Sequence, residues 1–312
     1  MRAAGRPDSY LTSRISYPRR VTNDVIRRSL GLVGPGRAGR AFARSWRSAG
    51  GRLVWVLARR PEAARALKPE ATFGPDAAPL PACDLVVVAV PDDAIPDVAR
   101  SLASRVEPPF AFHLSGAFGS DALAPLRATG ARTASLHPVR PFTGDPSENW
   151  TGAFVAVEGD AEAAAEGERV ALALGARPYR LAATDRALYH AAATLAAGGT
   201  AALVSIAARG WVAAGIPEEV ARETLGALAS RAASAVSSRP FAEAFTGAVA
   251  RRDVGTVRRH FAALENHPEA RALYRSLAEE ALRRTSGGGK EDEIRRILRG
   301  EISSEFTSPH SS

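Results

Sequence analysis

The chain has 312 residues, 46% of them hydrophobic and 24% charged, enough for two domains with cores of their own. Its one cysteine, Cys83, excludes an intrachain disulfide and a cysteine-built metal site, and fits a reducing, cytoplasmic setting. The net charge of +8 is concentrated: residues 1–28 hold seven arginines against two aspartates, and the remainder is too mildly basic to mark a nucleic-acid binder.

Residues 1–28 lack periodicity and read as a disordered basic tail without the apolar core of a secretory signal. Leu30–Val33 reads as a buried strand, followed by Gly34-Pro35-Gly36-Arg37-Ala38-Gly39 and a helix from about Arg37. Gly34, Gly36 and Gly39 satisfy G-x-G-x-x-G: a tight turn, room for a pyrophosphate against the backbone, and close helix–strand packing. The helix start then offers unpaired N–H groups to phosphate. Leu53–Leu57 completes a strand–helix–strand unit of Rossmann length.

An acid about 20 residues beyond the last glycine would bond the ribose 2′-OH of NAD. Arg59 and Arg60 stand there instead, with no acid before Glu62, which suits the 2′-phosphate of NADP. Pro61–Leu67 reads as a short helix and 69–81 as loop. Asp84–Val90 is a continuous apolar run, the pattern of a parallel strand buried on both faces. It ends at Val90-Pro91, on the cofactor side of such a sheet, and Asp92 reads as a helix N-cap.

Phe110–Leu114 and Ala134–His137 are further strands, ending at Ser115-Gly116 and Pro138. Ser115 and His137 therefore fall on the sheet edge that carries the glycine turn, where a hydroxyl and an imidazole can bind and protonate a substrate oxygen. A turn role for Ser115 and a backbone-bonded role for His137 are the structural alternatives. His113, inside its strand, reads as core. Ala153–Val157, helix 161–174 and a strand at 178–181 extend the sheet to about 184. From 185 to 285 the pattern is helical, with runs at 186–214, 217–237, 241–250, 254–265 and 268–284. The first run carries Tyr189 and His190. No stretch reads as a membrane span. Residues 286–312 form a flexible tail with one short amphipathic helix near 291–299.

Several segments together resemble the bacterial proteins that join a Rossmann-like domain to a DUF2520 domain, predicted NADP-dependent oxidoreductases. These are Gly34–Gly39, Val90–Ile95, His113–Gly116, Ser135–Pro138, Tyr189–Ala193, and Phe245-Thr246-Gly247 through Arg251, Asp253, Thr256-Val257 and His260. The resemblance implies an α/β Rossmann-type doubly wound sheet followed by an all-α domain. That fold is similar to the 6-phosphogluconate dehydrogenase-like superfamily of β-hydroxyacid dehydrogenases, ketopantoate reductases and prephenate dehydrogenases. It implies a homodimer through the helical domain. It also implies substrate contacts at Ser115-Gly116 and a histidine at the reacting hydroxyl, His137, with His190 near the helix position where β-hydroxyacid dehydrogenases carry lysine. The chain departs from the family pattern at Ala197-Gly198, where Ser-Asn is usual, and at Gly247-Ala248 and Arg252-Asp253.

The resulting expectation is NADPH-linked hydride transfer to or from a small, carboxylate-bearing carbonyl or hydroxyl compound, ketopantoate-like or related. His137 or His190 is the acid/base, Ser115 the oxygen ligand, and Gly116, Tyr189 and Arg251 are substrate contacts. No metal, membrane or nucleic acid enters. The alternative is a regulatory or redox-sensing protein that holds NADP without catalysis.

Overall fold

Eight strands follow from these runs: β1 (Ser29–Val33), β2 (Arg52–Leu57), β3 (Ala71–Phe73), β4 (Leu85–Val88), β5 (Phe110–His113), β6 (Arg132–Pro138), β7 (Phe154–Gly159) and β8 (Arg177–Arg180). The computed structural model describes residues 24–182, 185–285 and 289–301. The strands form one sheet in the order β3-β2-β1-β4-β5-β6-β7-β8. All neighbours are parallel except β6 and β7, which run antiparallel. The chain leaves β3 at one edge and returns to the other side of β1 as β4. That reversal opens a crevice at the carboxyl ends of β1 and β4, the usual ligand position in such sheets.

Successive residues of a strand point to opposite faces, and here both faces are covered. Leu30, Leu32, Val87 and Phe112 join α1 (Arg37–Ser48) and its Phe42 and Trp46 in one core. Val33, Val86, Val88 and Ala111 join α2 (Ile95–Ala103) and α3 (Ala124–Ala128) through Ile95, Leu102 and Leu126 in the other. The helix after β7, α4 (Ala161–Ala173), ends at Gly175 with φ +74°, a left-handed turn that glycine adopts without strain.

Three expected boundaries need correction. Residues 24–28 are not tail: Val25 and Ile26 are buried in the first core, and Arg28 pairs with Glu166 at 3.0 Å. The stretch read as loop at 69–81 contains β3, a half-buried edge strand too short for any alternation to show. Within 286–312, helix α11 (Glu291–Leu298) buries Ile294, Ile297 and Leu298 against Val257, Phe261 and Leu282, so this part of the expected tail belongs to the helical core. The expectations for residues 1–23 and 302–312 lie outside the described residues.

The chain divides into two units at Thr194/Leu195. The cut falls inside α5 (Arg186–Ala213), the first helix of the expected helical domain. The second unit continues with α6 (Glu218–Ser238), the short α7 (Phe241–Ala244) and α8 (Gly247–Ala250), α9 (Val254–Ala263) and α10 (Pro268–Arg284). Asp253 caps α9 by accepting the Thr256 N–H at 3.0 Å. The adjacent Arg252, buried at φ +58°, donates to Thr285 Oγ1 at 2.6 Å and pairs with Glu291 at 2.5 Å, tying α8 to the start of α11.

α5 overturns the reading that no stretch is apolar enough for a membrane span. It has 28 residues and a window of mean hydropathy 1.6, long and apolar enough by length and composition to cross one. Its many alanines, with scattered Leu, Val and Ile, sum to a span-like average. None of its side chains is buried.

Candidate active site

The glycine turn lies at the crevice. Gly34, at φ +86°, follows β1, and a Cβ there would stand 2.5 Å from the Ala89 carbonyl oxygen after β4. A Cβ on Gly39 would stand 2.3 Å from the Gly34 oxygen. Both glycines are therefore required by the fold itself. Gly36 is different. It is the N-cap of α1 with φ −73° and ψ −170°, a backbone open to any residue, and a Cβ would meet nothing nearer than the Ala89 oxygen at 4.0 Å. Its missing side chain leaves a cradle over the amino end of α1, shaped for a group that approaches the backbone closely. Pro35 and Ala38 flank it half-buried and Arg37 is exposed. Val90 packs on Gly34, and Pro91 opens the next turn.

Arg59 and Arg60 follow β2 immediately, both exposed, and neither guanidinium has a partner among the described residues. The residues present thus fit a phosphorylated dinucleotide: donors and a bare backbone at the turn, and two uncommitted cations where a 2′-phosphate lies in such folds. Asp92 makes no side-chain cap bond, contrary to expectation. It sits half-buried, and its charge favours protonation of His113 and His137.

A cluster of rings forms beside the crevice. β5 and β6 run in register with His113 opposite Ser135, so His137 lies two residues beyond, past the end of β5. The loop that leaves β5 passes beneath it. At Gly116 a Cβ would be 2.6 Å from His137 Cε1 and 2.8 Å from His190 Cδ2, so the glycine lets both imidazoles close over the backbone. The two rings meet edge to face, centroids 5.8 Å apart. His137 Nδ1 is 2.8 Å from the Tyr189 hydroxyl, and that hydroxyl is 3.2 Å from the hydroxyl of Tyr179 on β8.

Burial, followed by the neighbouring His190 and Arg186, pushes the His137 pKa down to about 4, so its ring is neutral at pH 7. His113 is wholly buried. Its Nε2–H donates to the Gly119 carbonyl at 2.9 Å and its Nδ1 accepts the Ser115 N–H at 3.2 Å. Burial holds its pKa at about 4 as well. It is a core residue with both nitrogens used. Ser115 is buried, and its Oγ accepts the N–H groups of Ala117 and Phe118 at 3.1 and 3.2 Å. Its oxygen therefore shapes the loop.

Tyr179, Glu158 and Arg186 were not legible as site residues. Glu158 holds the loop by accepting Ser120 N–H at 2.9 Å and Oγ–H at 3.0 Å. Arg186 reaches Glu158 at 3.4 Å, and its buried Nε and Nη1 have no partner among the described residues. All three belong to the β7–β8–α5 segment, and only the antiparallel β6/β7 pairing brings that segment to His137. Arg251 stands exposed after α8 in the second unit.

A doubly wound sheet with its glycine turn at the switch point, followed by a helical unit, makes this a Rossmann-type protein with a C-terminal all-α domain. Family models agree on both parts: a Rossmann-like domain matches residues 18–138 and a domain of unknown function, DUF2520, matches residues 153–281. The chain is thus similar to each of these two domain families over its own part of the sequence. No curated protein matches it.

Among solved structures, it is similar to a “putative NADP oxidoreductase” of Bacteroides fragilis, with 21% identity and a TM-score of 0.67, over 83% of this chain and 99% of that one. It is similar to a Thermotoga maritima protein, with 22% identity and a TM-score of 0.66, over 86% of this chain and 99% of that one. It is also similar to the reductive aminase of Aspergillus terreus in complex with NADPH and ethyl-5-oxohexanoate, with 19% identity and a TM-score of 0.59, over 88% and 100%.

Proposed function

We propose that the protein is an NADP-dependent oxidoreductase acting on a small, carboxylate-bearing carbonyl or hydroxyl compound. The observation that carries this reading is Gly36: the fold has no use for a glycine there, whereas a bound pyrophosphate does. The free guanidinium groups of Arg59 and Arg60 support NADP over NAD. NADPH, when bound, supplies hydride. The neutral His137 ring accepts from Tyr189 at Nδ1 and so presents Nε2–H to the reacting atom of the substrate. His190 closes the other side of Gly116, and Tyr189 sets the imidazole orientation. Arg186, through its unpartnered N–H groups, is the cation available to a substrate carboxylate beside His137.

Titration calorimetry tests the cofactor. NADPH is expected to bind and NADH to bind more weakly. Arg59→Ala/Arg60→Ala is expected to lose roughly ten- to a hundredfold in NADPH affinity, the range for charge-assisted hydrogen bonds, with little change for NADH. Equal NADPH and NADH affinities in the wild type would sink the NADP assignment.

The same reading includes a homodimer through the helical unit. α5 and α6 expose Leu195, Leu203, Val212, Val220, Leu228 and Val236, more apolar surface than a lone soluble helix pair normally leaves bare. Leu195→Arg/Leu228→Arg is expected to convert a dimer to a monomer in sedimentation velocity. A wild type that stays monomeric at micromolar concentration without detergent would count against the dimer.

A further inference from the structure

We propose that Tyr179 and Tyr189 form a two-hydroxyl proton wire that joins solvent to Nδ1 of His137 and replaces, from behind the ring, the proton that leaves Nε2.

The three groups make one continuous chain. The Tyr179 and Tyr189 hydroxyl oxygens lie 3.2 Å apart, and the Tyr189 oxygen lies 2.8 Å from His137 Nδ1; in the proposed wire each hydroxyl donates inward. Both distances lie within or at the edge of hydrogen-bond range. Tyr179 is 37% exposed, so the outer end of the chain meets water, while Tyr189 and His137 are half-buried. The chain is assembled from three elements, β8, α5 and β6, and has no branch among the described residues. Burial raises the Tyr189 pKa, so this hydroxyl remains a proton-bearing donor across the physiological range.

The wire answers a problem set by the ring's surroundings. Around His137 stand His190, Arg186 and Tyr189 from α5, His113 from β5, Asp92 after β4 and Tyr179 from β8. Burial, with His190 and Arg186, outweighs Asp92, so the ring does not store an extra proton at neutral pH. It passes one on only if another arrives at the same time.

In the proposed step the Nε2–H bond breaks and its proton goes to the anionic oxygen or nitrogen left by reduction of the substrate. The Tyr189 proton moves to Nδ1, the Tyr179 proton moves to Tyr189, and water protonates Tyr179, releasing hydroxide. One proton crosses, no electron moves, and both tyrosines are restored. The imidazole is left as the Nδ1–H tautomer. Proton uptake at Nε2 and the wire running in reverse reset it.

The inference rests on the oxidoreductase reading for its purpose but is testable without substrate or cofactor. In cofactor-free protein labelled with ¹⁵N-histidine, His137 is assigned with His137→Gln, and the exchange between its two ring tautomers is measured by relaxation dispersion. Tyr179→Phe, at the accessible end, is expected to keep the wild-type tautomer preference and to slow tautomer exchange by at least about tenfold, in line with the effect of removing a positioned proton donor. Tyr189→Phe is expected to abolish the preference as well. A tautomer exchange rate unchanged in Tyr179→Phe overturns the wire, whatever Tyr189→Phe does. NADPH calorimetry on the same samples separates the two ideas. Binding with unchanged exchange removes the wire alone, and no binding with slowed exchange removes the oxidoreductase reading alone.

Discussion

Gly36→Val is expected to fold as the wild type does and to bind NADPH at least about a hundredfold more weakly, whereas Gly39→Ala is expected to lose stability. The contrast follows from what a side chain meets at each position. At Gly36 the backbone is extended and the nearest protein atom to a Cβ is 4.0 Å away, so the folding cost is confined to a poorer helix cap, about 1 kcal/mol. A valine there occupies the space through which a pyrophosphate reaches the first N–H groups of α1. Losing two charge-assisted bonds of about 1.5–3 kcal/mol each accounts for the binding loss.

At Gly39 the Cβ would lie 2.3 Å from the Gly34 oxygen, a backbone atom that cannot swing aside. Alanine gains up to about 1 kcal/mol in helix propensity, but the overlap costs about 3 kcal/mol, so the clash prevails. Thermal denaturation and calorimetry on the two variants check both halves. A Gly36→Val protein that is stable and still binds NADPH normally would remove the main support for the proposed function.

Stability is expected to fall steeply between pH 6.5 and pH 4. His113 and His137 are both held near pKa 4, below the 6.5 of an unfolded histidine. Through this window the unfolded chain binds protons that the native chain refuses, so acid favours unfolding, and the loss levels off below pH 4 as far as these two groups are concerned. For His113, wholly buried with both nitrogens bonded, the shift corresponds to about 3 kcal/mol. His137, half-buried, contributes less because water screens part of its charge. Urea denaturation at pH 7, 5.5 and 4.5 measures the slope. His137→Gln should flatten it modestly, leaving the His113 share, and an equal slope with and without His137 would mean that its ring is charged at less cost than its burial implies.

The strand–turn–helix from Leu30 to Ser48 was legible residue by residue, because an apolar run, a glycine spacing and an alanine-rich amphipathic segment are local signals. The helical runs at 186–214, 217–237, 254–265 and 268–284 were legible for the same reason, nearly to their ends, whereas the run expected at 241–250 is two short helices, Phe241–Ala244 and Gly247–Ala250. Edge strand β3 was not. Its three half-buried residues owe their conformation to pairing with β2 rather than to any pattern of their own. The packing of Val25 and Ile26 was hidden in the same way, by an arginine-rich setting that looks like tail until the core reaches it.

The site divides along the same line. Gly34, Gly36, Gly39, Arg59 and Arg60 sit within one βαβ unit, where spacing along the chain translates directly into position, so the amino-acid sequence by itself determined the dinucleotide half. His137 and His190 were marked as candidates, but their meeting over Gly116, the hydroxyl chain through Tyr189 to Tyr179, and the confinement of Ser115 to its own loop depend on the order of β5, β6, β7 and β8. Tertiary structure alone decided these. Sheet order joins residues tens of positions apart, and the burial it imposes, rather than anything carried in the histidine itself, is what keeps the His137 ring neutral.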